Sequence, residues 1–200
     1  MHNKSINYAP SVPDAAKLRP LYGSQSMGIE QDKRAYELLE NPFEYPSMVE
    51  RKVLFKSIRV WNYSSFDPFV SFMVAKEKEE FYARRVIWDQ YKTVPSGDPQ
   101  TYCAEVKVES SVFEELIESF SKVSVSALVP GDLVGIDGVR SGVSVKDFIS
   151  ESIFSWWSGS PKEWSAIRDW HQQYIFKLNG LFSGSPMSLE SALTSRLAER

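Results

Sequence analysis

The chain has 200 residues, of which 42% are hydrophobic and 14% aromatic, so it can bury a sizeable core in one domain or two small ones. Its 26 acidic and 23 basic side chains give a formal charge of -3, which disfavours nucleic-acid binding because phosphate recognition usually needs a basic surface. The single cysteine, Cys103, excludes an intramolecular disulfide, and with two histidines it is too few for a Cys/His zinc site. We expect neither a metal nor a cofactor.

The first twenty residues, MHNKSINYAPSVPDAAKLRP, contain no apolar run of the kind found in a secretory signal. No stretch of the chain approaches the length of apolar sequence that spans a membrane. We therefore expect a soluble, cytoplasmic protein without a membrane partner.

Composition divides the chain into three parts. Residues 1–28 are rich in proline and lack apolar periodicity, which predicts a flexible N-terminal arm. Residues 29–182 carry the periodic segments and are predicted to form one domain. Residues 183–200 are predicted to be a C-terminal tail with a short helix.

The first half of the domain favours one short helix followed by strands. The helix is predicted over 29–41, with Pro42 ending it. Strands are predicted at 54–63, at two segments within 69–90 joined by a charged turn at 76–79, and at 102–109. In the second of the two segments within 69–90, apolar residues occur on both faces, which indicates partial burial on each side of the sheet.

The segment after residue 109 is predicted to be a helix. Ser111 and Glu114 have the spacing of a capping box, in which the two side chains satisfy free amides of the first turn. The apolar positions of this segment follow helical spacing and predict a buried stripe, formed by Phe113, Leu116, Ile117 and Phe120.

The second half is predicted to contain a hairpin turn at 137–138, a strand at 148–157 and a final helix. Ser160 is the predicted N-cap of that helix and Gly180 its C′ residue. Four tryptophans fall in this region, and we interpret them as an aromatic seam in which Trp156 and Trp164 are buried together. The predicted fold class is α+β, with a mostly antiparallel sheet of about five to seven strands and two main helices.

Three sets of side chains are candidates for chemistry, and each has a structural interpretation that we favour. Cys103 and His171 could form a nucleophile pair, but both lie on regular elements and are more simply a buried thiol and a core histidine. Arg84 and Arg85 could bind phosphate, but cross-strand pairing with the Glu77, Glu79 and Glu80 cluster, or stacking in the sheet, is simpler. Trp61 and Trp157 could bind a sugar, but packing is favoured.

The acidic residues Glu114, Glu115 and Glu118 lie outside the predicted apolar stripe of their helix. Such a run is usually a solvated face. Its functional interpretation is a patch that binds a basic protein partner, and these three glutamates are the candidate partner-binding residues. No catalytic residues are predicted.

The segments ARRVIWD (83–89), GIDGV (135–139) and SWWSGSPKEWSAIRDW (155–170) give the chain a resemblance to small bacterial α+β proteins, some of which resemble immunity proteins. The resemblance covers about residues 81–180 and carries no catalytic residues. It implies a non-enzymatic cytoplasmic protein that neutralises a bacterial toxin by direct binding. The main alternative is a hydrolase or transferase whose active site has no recognised motif, and a pocket lined by convergent polar groups would favour it. A third alternative is a structural or assembly subunit that uses residues 1–28 as a docking arm.

Overall fold

The computed structural model describes residues 6–7, 25–46, 48–51, 56–93, 99–126, 138–158 and 161–183. Over these residues the chain forms seven strands and three α-helices in an α+β fold, as predicted. In chain order the elements are β1 (Ile6–Asn7), α1 (Gln25–Glu40), β2 (Ser57–Ser64), β3 (Phe69–Glu77), β4 (Glu80–Thr93), β5 (Pro99–Val108), α2 (Ser110–Ser121), β6 (Val139–Lys146), β7 (Glu151–Trp156) and α3 (Ser165–Gly180).

The strands form a single sheet in the order β1-β5-β4-β3-β2-β6-β7, and every neighbouring pair is antiparallel. β2 to β5 are consecutive in the chain and adjacent in the sheet. The charged turn between β3 and β4 is confirmed and is confined to Lys78 and Glu79. Lys78 has a φ of 55°, the left-handed conformation that such a tight turn requires.

Both faces of the sheet are buried, as the apolar pattern predicted, because alternate residues of a strand point to opposite sides. On one face, Ala104 and Val106 of β5 belong to a core completed by α2 and α3. On the other face, Cys103 belongs to a second core completed by Ala35, Leu38 and Leu39 of α1. We call these the α2/α3 face and the α1 face.

The observed helices and strands differ from the predicted ones mainly at their ends. α1 begins at Gln25 rather than at Ile29. Of the predicted arm, the structure describes only residues 6–7, paired with β5, and 25–28, at the start of α1. The rest of the arm and almost all of the tail at 183–200 lie outside the described residues.

The capping box predicted at Ser111 and Glu114 is wrong. α2 begins at Ser110, its N-cap residue is Glu109, and no side chain caps it. Because the helix begins two residues before the predicted first residue, Val112, Ser111 lies inside the first turn. The predicted stripe is confirmed in its centre, where Phe113 and Leu116 are buried.

The predicted caps of α3 are also corrected. A short 3-10 turn over Lys162–Trp164 precedes the helix, and Ser160 lies outside the described residues. Gly180 is the last residue of the helix rather than the C′ residue, and Leu181 after it keeps the right-handed conformation.

The tryptophan seam exists, but the buried partner of Trp156 differs from the prediction. Trp156 is buried and its ring meets the imidazole of His171 edge-on, 5.1 Å between centroids. Trp170 is the buried tryptophan of α3, whereas Trp164 is only partly buried and donates its Nε1–H to the carbonyl of Ser126 at 3.0 Å. Trp164 precedes the first residue of α3, so the helical stripe does not set its direction.

The hairpin of the second half lies at a different place from the predicted one. Asp137 is outside the described residues, and β6 is bordered by β2 on one side and β7 on the other. β6 and β7 form the hairpin, with a turn at residues 147–150. Phe148 therefore lies in this turn, 71% exposed, and not on a buried strand face with Trp156.

Candidate functional site

The three candidate glutamates lie on the outer surface of α2. The inward side chains Phe113 and Leu116 hold the helix against the sheet, which leaves Glu114, Glu115 and Glu118 exposed. The structure therefore brings these residues together on one solvent-facing side of the helix, as their spacing predicted. No ligand is needed to explain their exposure.

Two of the three glutamates have lysine partners. Glu115 forms an ion pair with Lys177 of α3 and accepts a hydrogen bond from the Tyr174 hydroxyl at 3.1 Å. Glu118 forms an ion pair with Lys122 at 2.7 Å. Within the described residues, Glu114 has no hydrogen bond or ion pair.

The lysine partners determine the charge state of this surface. Hydrogen bonding to Lys177 lowers the pKa of Glu115, and hydrogen bonding to Lys122 lowers the pKa of Glu118. Both carboxylates are therefore ionised at neutral pH. A general acid needs the opposite shift, so this surface suits binding to positive charge and does not suit acid catalysis.

Cys103 and His171 do not form a nucleophile pair. Cys103 is buried on the α1 face, whereas His171 belongs to α3 on the opposite side of the sheet. Burial raises the pKa of the Cys103 thiol to about 12, which suppresses the thiolate that nucleophilic chemistry requires. The Nε2 of His171 lies 3.0 Å from the carbonyl oxygen of Trp61, so this nitrogen donates the hydrogen bond.

Arg84 is paired, as expected, but with a different glutamate. Its side chain is fully buried on the α1 face, and its Nε lies 2.6 Å from a carboxylate oxygen of Glu105 on the neighbouring strand β5. The pairing with Glu77, Glu79 or Glu80 is therefore wrong for Arg84. Glu77 enters the same network through Arg51, which lies 2.8 Å from Glu77 and 2.6 Å from Glu105.

Two residues that complete this charge network, Arg51 and Glu105, were not predicted from the sequence. The available signal was Glu105 itself, a charged residue that shares a strand face with the buried Cys103. Its partners could not be read from spacing, because the network joins segments distant in the chain. The guanidinium of Arg51 also stacks on the ring of Tyr82, 3.2 Å from its centroid.

The remaining donors of Arg84 bind backbone carbonyls. Its Nη1 donates to Phe43 at 2.8 Å and to Pro42 at 3.3 Å, and its Nη2 donates to Val49. The guanidinium thereby fixes the segment after α1 to the sheet. Its side chain offers no accessible surface for a phosphate, so its function is structural.

Arg85 lies on the opposite face and fixes α3. Its Nη1 donates to the side-chain oxygen of Asn179 at 3.1 Å, and its guanidinium lies 4.9 Å from the ring centroid of Phe182. Burial lowers the pKa of Arg85 to about 10, which still leaves the side chain charged at neutral pH. The two arginines therefore serve opposite faces of the same strand.

The aromatic candidates for sugar binding do not form a platform. Trp61 is buried on the α1 face, stacked under the guanidinium of Arg59 at 4.1 Å from the ring centroid. Trp157 is partly buried and follows the last residue of β7. The favoured interpretation of Trp61 as a core residue is confirmed.

The described part of the chain offers neither a metal-binding cluster nor a membrane-spanning helix. It contains no cluster of three or more His, Cys, Asp or Glu side chains able to hold a metal ion. None of its helices is long and apolar enough to span a membrane.

Comparison with known proteins identifies no related protein. The chain matches no protein-family model, no curated protein and no solved structure.

Proposed function

We propose that the protein is a non-enzymatic binding protein that docks a basic partner protein on the outer surface of α2. One observation carries the proposal: within the described residues, the candidate reactive groups are buried in structural contacts while the acidic side chains of α2 face solvent. Cys103 and His171 are on opposite sides of the sheet, and Arg84 is enclosed by Glu105 and backbone carbonyls.

The chemistry of α2 supports a basic partner. Glu114 is exposed and Glu118 is paired only with the exposed Lys122, whose side chain is 70% accessible. Exposed ion pairs contribute little to stability, so a partner's lysine or arginine can replace Lys122 at small cost. Complementary charge of this kind accelerates encounter and selects partners.

The finer proposal is that the partner is a bacterial toxin, neutralised by direct binding in the cytoplasm. Its support is the resemblance of residues 81–180 to immunity-like proteins, together with the charge of α2. Steric or electrostatic blocking of a toxin requires only a complementary surface and no catalytic residue.

The experiment is co-purification with the product of the adjacent gene, combined with a protection assay in a sensitive cell. We expect the wild-type chain to bind and protect, and the variant Glu114→Lys/Glu118→Lys to lose at least about tenfold in affinity because two attractive charges become repulsive. Glu37→Lys is the matched control, since Glu37 is an exposed glutamate of α1, which packs on the face of the sheet opposite to α2. Wild-type affinity in the α2 variant, or no binding by the wild-type chain, would contradict the proposal.

A further inference from the structure

β7 is an edge strand of the sheet, and its outer side is open within the described residues. Among the strands that the structure describes, only β6 pairs with it. An open edge presents unpaired backbone amides and carbonyls that can add another strand. The other edge carries β1, which covers only two residues of β5.

The hairpin geometry identifies which backbone groups face outward. Asp147 donates its amide to the carbonyl of Ser150 at 2.8 Å, so this is a hydrogen-bonded pair next to the turn. Hydrogen-bonded and non-hydrogen-bonded pairs alternate along an antiparallel ladder. Glu151, Ile153 and Ser155 are therefore at the positions whose amides and carbonyls point away from β6.

This edge lacks the features that protect most natural edges. β7 contains no proline and no lysine, and its register with β6 is continuous, without a bulge. Its central residue, Ile153, is 58% exposed. Phe148 and Ile149 in the adjacent turn are also exposed, at 71% and 89%.

Two charged residues on the face of Ile153 are arranged for pairing with a second copy of the strand. Arg140 of β6 donates its Nε–H to the hydroxyl of Ser155 at 3.1 Å, which places its guanidinium over that end of β7. Glu151 lies at the other end of β7, opposite Lys146, yet within the described residues it forms no ion pair. Arg140 therefore lies at one end of this face, and Glu151, opposite Lys146, lies at the other.

We propose that two copies of the chain associate through β7, antiparallel and centred on Ile153. In this register Ile153 faces the partner's Ile153, and Glu151 faces the partner's Ser155, which makes every outward amide and carbonyl face an equivalent group. Glu151 then lies beside the partner's Arg140, and the symmetry repeats that ion pair at the other end. The two sheets become one continuous sheet, as in other cases of strand addition.

The same register also covers apolar surface beyond the strand. Two residues before Glu151, on the same face, Ile149 then lies opposite the partner's Trp157. Shifting the register by two residues moves Glu151 away from the partner's Arg140, so charge favours the register centred on Ile153.

The test is the mass of the full-length chain by sedimentation equilibrium over a range of concentrations. The chain has a mass of 22.8 kDa, and we expect wild type to approach twice that value with rising concentration. Glu151→Arg and Arg140→Glu should each raise the dissociation constant at least about tenfold, and the double swap Arg140→Glu/Glu151→Arg should restore it to within about threefold. Ile153→Lys should abolish association by placing a charge at the centre of the edge.

Glu163→Arg is the control, because Glu163 is exposed on the 3-10 turn before α3. Thermal unfolding of each variant checks that the exposed substitutions leave the monomer folded. A wild-type chain that stays monomeric at all concentrations would overturn the proposal. A dimer that is insensitive to Ile153→Lys, or that the charge swap fails to restore, would overturn it as well.

Discussion

At the scale of single residues, the buried carboxylate of Glu105 is the centre of a network of charges that joins distant segments of the chain. It is held between Arg84 at 2.6 Å and Arg51, also at 2.6 Å, and it is almost fully buried. A buried ion pair adds modest net stability, because the desolvation of the charges offsets their attraction. Removing one partner is costly, because the remaining buried charges then lack compensation.

We predict that Glu105→Gln lowers the free energy of unfolding by about 3–5 kcal/mol, because Arg84 stays buried without a counter-charge. Chemical denaturation measures the effect. Glu80→Gln is the control. Glu80 pairs with Lys107 on the solvent-exposed surface, where water screens the interaction, so this substitution should leave the free energy of unfolding nearly unchanged. Equal losses in the two variants would show that the buried network does not stabilise the fold.

His171 should make stability depend on pH. Burial lowers its pKa to about 4, whereas an unfolded histidine titrates near 6.5. Between these values the unfolded chain binds the proton and the folded chain does not, so stability is complete above about pH 6.5 and falls towards pH 4. The total effect is up to roughly 3 kcal/mol.

The measurement is the free energy of unfolding at pH 7.5 and pH 5 for wild type and His171→Gln. Glutamine keeps a donor for the Trp61 carbonyl but does not titrate in this range. We expect a smaller loss of stability at pH 5 in the variant than in wild type. Identical pH dependence in both proteins would contradict the buried, neutral state of His171.

Burial of single residues could be predicted from the sequence, but their partners could not. The structural interpretation of Cys103 followed from its position in a regular strand without a glycine-rich turn, and that of His171 from its position on the apolar stripe of a helix. The pairing of Arg84 with Glu105 depends on the register of β4 against β5, in which these two residues lie directly opposite. No local pattern determines such a register in advance.

At the scale of elements, α3 depends on Trp170 more than on Trp164. Trp170 is 6% exposed, and its Nε1–H donates to the Ser119 hydroxyl of α2 at 2.9 Å. We predict that Trp170→Ala costs about 3–5 kcal/mol of unfolding free energy and that Trp164→Ala costs about half as much or less. Denaturant titration of both variants checks this, and a larger loss for Trp164→Ala would restore the original prediction.

Gly142 allows β6 to lie under the ring of Trp61. A methyl group at this position would collide with that ring and would lie 2.7 Å from the carbonyl oxygen of Phe154. We predict that Gly142→Ala lowers stability by about 1–3 kcal/mol through overpacking.

Gly180→Ala is the matched control for Gly142→Ala. Position 180 is the last residue of α3, and beyond the helix's own backbone no atom of the described residues lies within 4 Å of a methyl group there, so a neutral or slightly stabilising effect is expected. Thermal melts of both variants decide the comparison. A neutral Gly142→Ala variant would show that the ring of Trp61 can move aside.

The apolar stripes of the helices and strands were predicted better than their ends. Phe113 and Leu116 of α2 are buried, since their spacing alone places them on one side of a helix. The predicted caps failed, because a shift of two residues at the start of α2 or an added 3-10 turn before α3 changes every cap position without altering the stripe.

At the scale of the whole molecule, the sheet separates two cores and fixes which residues can meet. Two-sided burial was predictable from the apolar residues on both faces of β4. The placement of β6 beside β2, after a long intervening segment, was not, because it joins parts of the chain that share no local pattern. That placement makes β7 an edge strand and puts Arg140 and Glu151 on one surface.

The central claim is that the reactive side chains are structural and that function lies in binding through the surface of α2. The most direct measurement compares two variants that are expressed at equal levels. It records whether each variant protects a sensitive cell and how much of the adjacent-gene product it binds. Cys103→Ala/His171→Gln should protect and bind like wild type, whereas Glu114→Lys/Glu118→Lys should do neither. Loss of protection in the first variant, with its fold and binding intact, together with full protection by the second, would contradict the claim and indicate an active site.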